Sequence, residues 1–374
     1  MDKIIQEAIT FDDVLLIPGY TNFPREDADT QTILHKNIKL KLPIISSPMD
    51  TVTEDNMLIT MAQNWWLWIL HRNLPIDKQI EMVKKCKNAK VNDIKKASLD
   101  SSGKLLAWVA VWAWDDLEDR VKLLINAWID IILVDASHGH SQYILDAIQT
   151  TKKICKDIPV IWWNVTTWEW AKALIKHWAD IIRVWVWPGS ICTTRIVTGT
   201  WVPQLTAIDN VIKWIWDNDV TIIADWWIRQ TWDMAKAIWF WANVIMLGSL
   251  LSGFDQSPGE IVEIEWDKYK LYRWMWSSSA MFEGSAARYG QKTWIEKKKL
   301  ISEWVEGLVK YKWDVEDYLY QIQWSLRSAF YNTWAKNIIE FHEKAKFVKI
   351  TNAWMKESHP HTISIKSADA NYNV

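Results

Sequence analysis

Residues 106–137, LAWVAVWAWDDLEDRVKLLINAWIDIILVDAS, contain one complete repeat of the pattern that decides the fold. Residues 106–113 are apolar without alternation, as expected of a strand covered on both faces of a parallel sheet. Residues 115–127 open with acids, which suit the positive end of a helix dipole. Leu117, Val121, Leu124 and Ile125 then fall on one helical stripe. A second apolar run, 131–137, follows at once. The unit reads strand, helix, strand.

The alternation continues in both directions. Runs at 43–49, 67–72, 160–165, 181–186, 222–226 and 244–249 bring the strands to eight. Residues 166–177 and 231–240 read as helices with Thr or Asn near their starts as caps. Eight strands alternating with helices predict an α/β fold, a (β/α)8 TIM barrel, with a doubly wound open sheet as the alternative. The whole chain, 1–374, is expected to form a single catalytic domain. Two stretches break the rhythm. Residues 87–104, KNAKVNDIKKASLDSSGK, read as a short solvated linker between the second and third units. Residues 265–315 read as an active-site flap region, and their Ser/Gly/Lys-rich part, 277–299, as a mobile lid. A tail follows, in which His359 and His361 read as solvent-exposed.

A net charge of −2 gives no global field for nucleic acid or an anionic membrane, so any phosphate site must be local. No nucleic-acid or membrane partner is expected, and no apolar run has spanning length. Three cysteines, Cys86, Cys155 and Cys192, without CxxC spacing argue against a disulfide framework and for a reducing cytoplasm. One feature of composition is abnormal: 31 Trp against 11 Gly, where glycine ordinarily runs near 7% of a chain.

In a barrel the strand C-termini converge on one mouth. The polar residues at those ends are Ser47, Arg72, Asp135, Asn164, the loop 188–195, Asp225 and Ser249. The loop, PGSICTTR, is the densest. Gly189 and Ser190 offer donors to a phosphate. Cys192 follows two residues later, and a nearby arginine favours the thiolate, the reactive form. A buried structural cysteine is the alternative reading. Cys86 and Cys155 read as structural or surface residues. Asp225 is placed to accept hydrogen bonds from a ribose diol, and Gly248-Ser249 to add phosphate donors.

The segments ITFDDVLLIPGY (9–20), ISSPMDTVTE (45–54), ILHRN (69–73), VDASHGHS (134–141), PGSICTTRIVTG (188–199), VPQLTAI (202–208), IIAD (222–225), MLGSLL (246–251), SPGE (257–260) and KESHPH (356–361) together resemble the inosine-5′-monophosphate (IMP) dehydrogenase family, in its order and over nearly the whole chain. GMP reductase, which shares the barrel and the cysteine loop, is the second choice. The resemblance implies NAD-dependent oxidation of IMP to xanthosine monophosphate (XMP) for guanine nucleotide synthesis. Cys192 would attack C2 of the purine, and hydride would leave to NAD. The covalent thioimidate would then be hydrolysed with help from Arg288 and Tyr289, or through a second relay of Thr194 and Glu303. Ser47, Met49, Asn164, Gly189, Ser190, Asp225, Gly248, Ser249, Tyr272, Met275 and Glu303 would hold IMP. Asp135, Ser137, Asn164 and Arg183 would border NAD. Potassium would sit on the backbone at Trp185, Trp187, Gly189 and Cys192, joined by Glu357, Ser358 and His359 of a neighbouring subunit in a homotetramer.

Two departures follow from the same comparison. Most family members carry a tandem CBS regulatory module where this chain has only 87–104. Family glycines also correspond to Trp65, Trp66, Trp68, Trp185, Trp187, Trp226, Trp227, Trp274 and Trp276. The tryptophans read as a near-systematic replacement of glycine. A Trp ring cannot take glycine's positive φ cheaply, and it overpacks a close approach. A catalytically dead barrel is therefore the reading from another functional class.

Overall fold

The apolar runs fold as parallel strands. The computed structural model describes residues 3–366 apart from 37, 65, 114–115, 137, 186–188, 216–219, 226, 276 and 282–301. Before the barrel come β1 (Val14–Leu16) and the hairpin β2 (Thr32–His35) and β3 (Ile38–Leu40). The barrel strands are β4 (Ile44–Ser46), β5 (Trp108–Trp112), β6 (Ile131–Asp135), β7 (Val160–Val165), β8 (Ile181–Val184), β9 (Thr221–Asp225) and β10 (Val244–Leu247). They form one parallel sheet in the order β4-β10-β9-β8-β7-β6-β5. The ring closes between β4 and β5 through residues 67–70. Leu67 bridges in parallel to Ile45, and Leu70 to Val109. The N–H of Ser46 donates to Leu67 (3.1 Å), and that of Ala110 to Leu70 (2.8 Å). The eighth strand is thus present as a short bridged segment, and the barrel read from the sequence is the observed fold.

The connecting helices are α1 (Asp55–Gln63), α2 (Ile76–Asn88), α3 (Leu117–Asn126), α4 (Gln142–Ile154), α5 (Trp168–Lys176), α6 (Thr194–Thr198), α7 (Gln204–Ile215) and α8 (Thr231–Trp239). In α3 the expected stripe does face inward: Leu117, Val121 and Leu124 are buried, while Leu123 on the other side is exposed. Helix α8 departs from the expected Thr or Asn cap. Its cap residue is Gln230, and the Asp233 carboxylate accepts the N–H of Arg229 (2.9 Å) and of Gln230 (3.1 Å).

After the barrel, β11 (Ile261–Ile264), β12 (Asp267–Tyr272) and β13 (Gly307–Lys310) form an antiparallel sheet, with α9 (Ser278–Ala280) beyond β12. Helices α10 (Val315–Asn332) and α11 (Ile338–Lys344) pack on α8. Strand β14 (Phe347–Lys349) pairs with β1, and α12 (Asn352–Glu357) leads into the tail. The polar segment 87–104 is packed against the barrel as well as solvated. Lys87 is buried, with its ammonium 2.8 Å from Asp100 and 2.6 Å from Asp130, and Ala97 and Ser98 are buried beside it.

The backbone shows where tryptophan does glycine's work. Trp128, Trp178, Trp241 and Trp334 each stand one residue beyond a helix C-cap, after α3, α5, α8 and α10, with φ of 64°, 67°, 69° and 58°. That is the left-handed position that glycine usually fills. The N–H after Trp178, Trp241 and Trp334 reaches back to Leu174, Ala237 and Phe330 to complete the Schellman turn. Between β11 and β12, Glu265 (φ 48°) and Trp266 (φ 74°) make a two-residue turn of the type that favours Asn-Gly. An L-residue in this region costs about 1–2 kcal/mol. The rings of Trp128, Trp178 and Trp266 are largely exposed and recover little by packing. We expect Trp128→Gly, Trp178→Gly and Trp266→Gly each to stabilise by up to about 1 kcal/mol. Distant sites of this kind add, so the triple variant should melt measurably higher. Trp168→Gly is expected to do the reverse by about 1 kcal/mol, because Trp168 opens α5 and its ring stacks on that of Trp214 at 4.5 Å. A triple variant that melts no higher than the parent contradicts this account.

Candidate active site

The strand ends build a polar cluster where β4 meets β10. The N–H of Ser47 donates to the Leu247 carbonyl (2.8 Å), and the Ser47 carbonyl accepts from the Thr53 hydroxyl (2.9 Å). Gly248 lies against this turn. A Cβ there would stand 3.2 Å from the Tyr272 hydroxyl and 3.3 Å from the Met49 sulfur, so any side chain would crowd both. Tyr272 arrives from the end of β12, is buried, and donates to Met49 Sδ at 3.7 Å. Its hydroxyl also hydrogen-bonds Ser190 and Ser249, while burial pushes its ionisation upward. Ser47, Met49, Ser190, Gly248, Ser249 and Tyr272 thus meet in one place, with Met275 buried three residues beyond Tyr272.

Cys192 sits on the neighbouring loop between β8 and α6. The Gly189 carbonyl accepts its N–H at 3.1 Å, closing a turn. Residues 303–305 run alongside: Thr193 N–H donates to the Glu303 carbonyl (2.7 Å), and Val305 N–H to Ile191 (2.9 Å). Cys192 and Trp304 are directly opposed in this short antiparallel bridge. The Cys192 thiol donates to the Thr194 hydroxyl at 3.3 Å. Burial pushes the thiol up to about 11; the Thr194 hydrogen bonds and Arg195 pull the other way, and Glu303 adds to the rise. Thr194 and Glu303 therefore both adjoin Cys192. One Glu303 carboxylate oxygen is buried without a hydrogen bond among the described residues. The Arg195 guanidinium lies 4.9 Å from the Trp201 ring and 5.3 Å from that of Trp227. Cys86 and Cys155 are buried, and burial raises both thiols. Of the other expected residues, Ser137, Trp187, Arg288 and Tyr289 lie outside the described residues.

The far side of the mouth carries Asp135, Asn164 and Arg183. Asp135 ends β6 and lines a cavity of about 180 Å³ with Trp112, His138, Ser141 and Tyr143. Asn164 has φ 64°, and its amide donates to the Ala136 carbonyl at 3.1 Å. Arg183 and Asp225, expected on different ligands, are ion-paired with each other, and both are buried. The Arg183 guanidinium lies on the Trp163 ring, and burial lowers its pKa. Trp185 is buried against Trp163, with ring centres 5.7 Å apart. Glu357 and Ser358 are exposed at the end of α12, and His359 meets the Trp232 ring edge-on at 5.4 Å. Among the described residues no group of three or more His, Cys, Asp or Glu could hold a metal ion.

Sequence reasoning missed Asp50 and Arg273. Their ion pair (3.1 Å), with Thr51 exchanging hydrogen bonds with the Arg273 backbone, clamps the loop after β4 to the segment after β12. Asp50 lies inside the quoted segment 45–54, but its partner is distant in sequence. Trp163 was missed for a different reason, since an indole in an apolar run reads as core, and Trp304 because no pattern around Ser302-Glu303-Trp304-Val305 marks it.

A family model described as the IMP dehydrogenase / GMP reductase domain matches residues 8–361. Inosine-5′-monophosphate dehydrogenase of Cryptosporidium parvum is 38% identical over 402 residues, covering 99% of each chain. That of Borreliella burgdorferi is 37% identical over 398 residues, covering 97% of this chain and 98% of the relative. The Aquifex aeolicus enzyme of the same name is 34% identical over 489 residues, with 100% and 99% covered. An alignment of 489 positions against 374 residues means that the Aquifex protein has a long segment without a counterpart here, whereas the first two are nearly as short as this chain.

The half-buried Cys192 thiol gives a direct test. Alkylation of Cys192 by iodoacetamide, read by peptide mass mapping, should rise about tenfold per pH unit and level off only near pH 11. A plateau near pH 8.5, the ordinary cysteine value, would show that the thiol is not desolvated.

Proposed function

The chain belongs to the IMP dehydrogenase / GMP reductase family, and we propose that it oxidises IMP to XMP with NAD as hydride acceptor. The observation that carries this is the cluster of Ser47, Met49, Ser190, Gly248, Ser249 and Tyr272 beside Cys192. Gly189, Ser190, Gly248 and Ser249 supply backbone and hydroxyl donors for the phosphate, and Asp225 accepts from the ribose diol. Met49, Tyr272 and Met275 pack the base, with Asn164 and Glu303 at its edge.

The chemistry then follows from Cys192. Its thiol gives up its proton to solvent water through the Thr194 hydroxyl, which already accepts that hydrogen bond. The thiolate adds to C2 of IMP, and the hydride on C2 leaves, forming a thioimidate. Bound NAD supplies the acceptor for that hydride. Asp135, Ser137, Asn164 and Arg183 border its place, and the cavity at Asp135 suits part of such a ligand. At about 180 Å³ it is below the roughly 300–1,000 Å³ of ordinary ligand pockets. Water next attacks C2, its proton is taken through Thr194 and Glu303 or by the Arg288-Tyr289 pair, and the C–S bond breaks to release XMP and Cys192. Arginine is an unusual base because of its high pKa.

The family resemblance would place a potassium ion on the backbone at Trp185, Trp187, Gly189 and Cys192, of which Trp187 lies outside the described residues. Exposure of Glu357 and Ser358 supports their reaching a second copy, with His359, in a homotetramer. Low cysteine use and the absence, among the described residues, of any helix long and apolar enough to cross a membrane agree with a cytoplasmic enzyme. The short segment 87–104 supports a compact member without a CBS module, as the lengths of the Cryptosporidium and Borreliella relatives do. A dead barrel is the second reading, favoured by the indoles packed at the mouth.

Incubation with IMP and NAD should yield NADH, with activity higher in potassium than in sodium. Cys192→Ala should reduce turnover by about three orders of magnitude or more. A folded protein of intact mass 44.0 kDa that forms no NADH would leave the dead barrel standing. Oxidation of NADPH with GMP would instead identify a reductase.

A further inference from the structure

Between the two ends of the proposed nucleotide site lies a continuous packed chain of side chains. Trp304 opposes Cys192 across the backbone bridge. Its ring lies 5.6 Å from that of Trp274, and Trp274 stacks on Trp163 at 5.9 Å. Trp163 carries the Arg183 guanidinium on its face, and Arg183 holds the Asp225 carboxylate. All three indoles, Arg183 and Asp225 are almost completely buried. A nucleotide whose ribose reaches Asp225 and whose C2 reaches Cys192 must occupy the space they fill.

We infer that the barrel mouth is bolted shut in the resting chain by the Trp163–Trp274–Trp304 stack over the Arg183–Asp225 pair, and that a purine nucleotide enters by displacing Trp274. This rests on the reading of Cys192 and Asp225 as the ends of the IMP site. Trp274 is the movable leaf. Trp163 belongs to barrel strand β7, and Trp304 is fixed by bridges to both Cys192 and Ser277. Trp274 instead lies on the turn after β12, where Ser277 N–H returns to its carbonyl at 2.9 Å. The closed arrangement is also poorly satisfied. Among the described residues the buried N–H of Trp163 and the Nε and Nη1 donors of Arg183 meet no acceptor, a condition that favours exchange for a ligand rich in oxygens. A planar purine can replace the Trp274 ring against its neighbours without losing stacking.

The test compares the parent with Trp274→Gly and Trp274→Leu, the second keeping an apolar side chain should the glycine variant fail to fold. Trp128→Gly, remote and exposed, serves as control. Two readouts are taken: the alkylation rate of Cys192 at fixed pH, and NADH formation with IMP and NAD. Removing the Trp274 ring should speed alkylation at least tenfold and lower the KM for IMP, with the control unchanged. In the parent, saturating IMP should remove from the circular-dichroism spectrum the exciton component that Trp274→Leu also lacks, leaving that of the remote Trp168–Trp214 stack. Alkylation no faster in a folded Trp274 variant, or persistence under IMP turnover of the exciton component that Trp274→Leu lacks, overturns the bolt. Faster alkylation without NADH from either variant would keep the bolt and sink the enzyme reading. NADH formation by the parent at the variants' KM would do the opposite.

Discussion

Eight parallel strands make a barrel only if each keeps two neighbours, and the weakest link here is the pair of bridges at residues 67–70. Seven strands alone would leave β4 and β5 as open edges with unpaired backbone. The two contacts of Leu67 and Leu70 remove those edges and bring every strand C-terminus to one rim. Everything functional depends on that convergence. Ser47 meets Leu247 because β4 lies beside β10, and Tyr272 reaches Gly248 only because the rim is closed there.

Much of this was legible in the chain. The strand at 160–165 begins and ends where its apolar run does, and α3 turns its predicted stripe inward. Apolar patterning reports burial directly, so elements set by burial can be read from it. Pairing is different. Arg183 aligns with Ile223, so Asp225, two residues on, shares its face; Trp162 aligns with Ile182, and the irregular register just after it leaves Trp163 against Arg183. That register is a property of the assembled sheet, and no local pattern contains it. Arg183 and Asp225 could therefore be nominated one by one but not as partners. The cap at Gln230 was missed for a simpler reason: the carboxylate that fixes it reaches back from Asp233, inside the helix, to the N–H groups of Arg229 and Gln230 just before it.

Tryptophan plays two opposite parts. At the ends of α3, α5, α8 and α10 it holds glycine's backbone conformation while its ring contributes modestly to packing, so the cost is local strain. At the mouth it is the ring that matters. Trp163, Trp185, Trp274 and Trp304 exclude water from a rim that a ligand-binding barrel ordinarily leaves open. Overpacking was the expectation from sequence, and here it takes the form of indoles packed together at the rim of a closed barrel.

Occlusion and nucleophilicity are then the same variable. Burial is the largest cause of the raised Cys192 ionisation, outweighing the help from Thr194 and Arg195. That contribution comes from desolvation, and Trp304 is the residue opposed to Cys192. In the proposed opening, moving the neighbouring ring to admit a nucleotide would also bring polar groups and water close to the sulfur. The opposing terms, the Thr194 hydrogen bond and the Arg195 charge, are already in place and are not lost. On the reading proposed for Cys192, the thiol would become a better nucleophile as the space beside it becomes a binding site, and would stay protonated while the indoles fill that space.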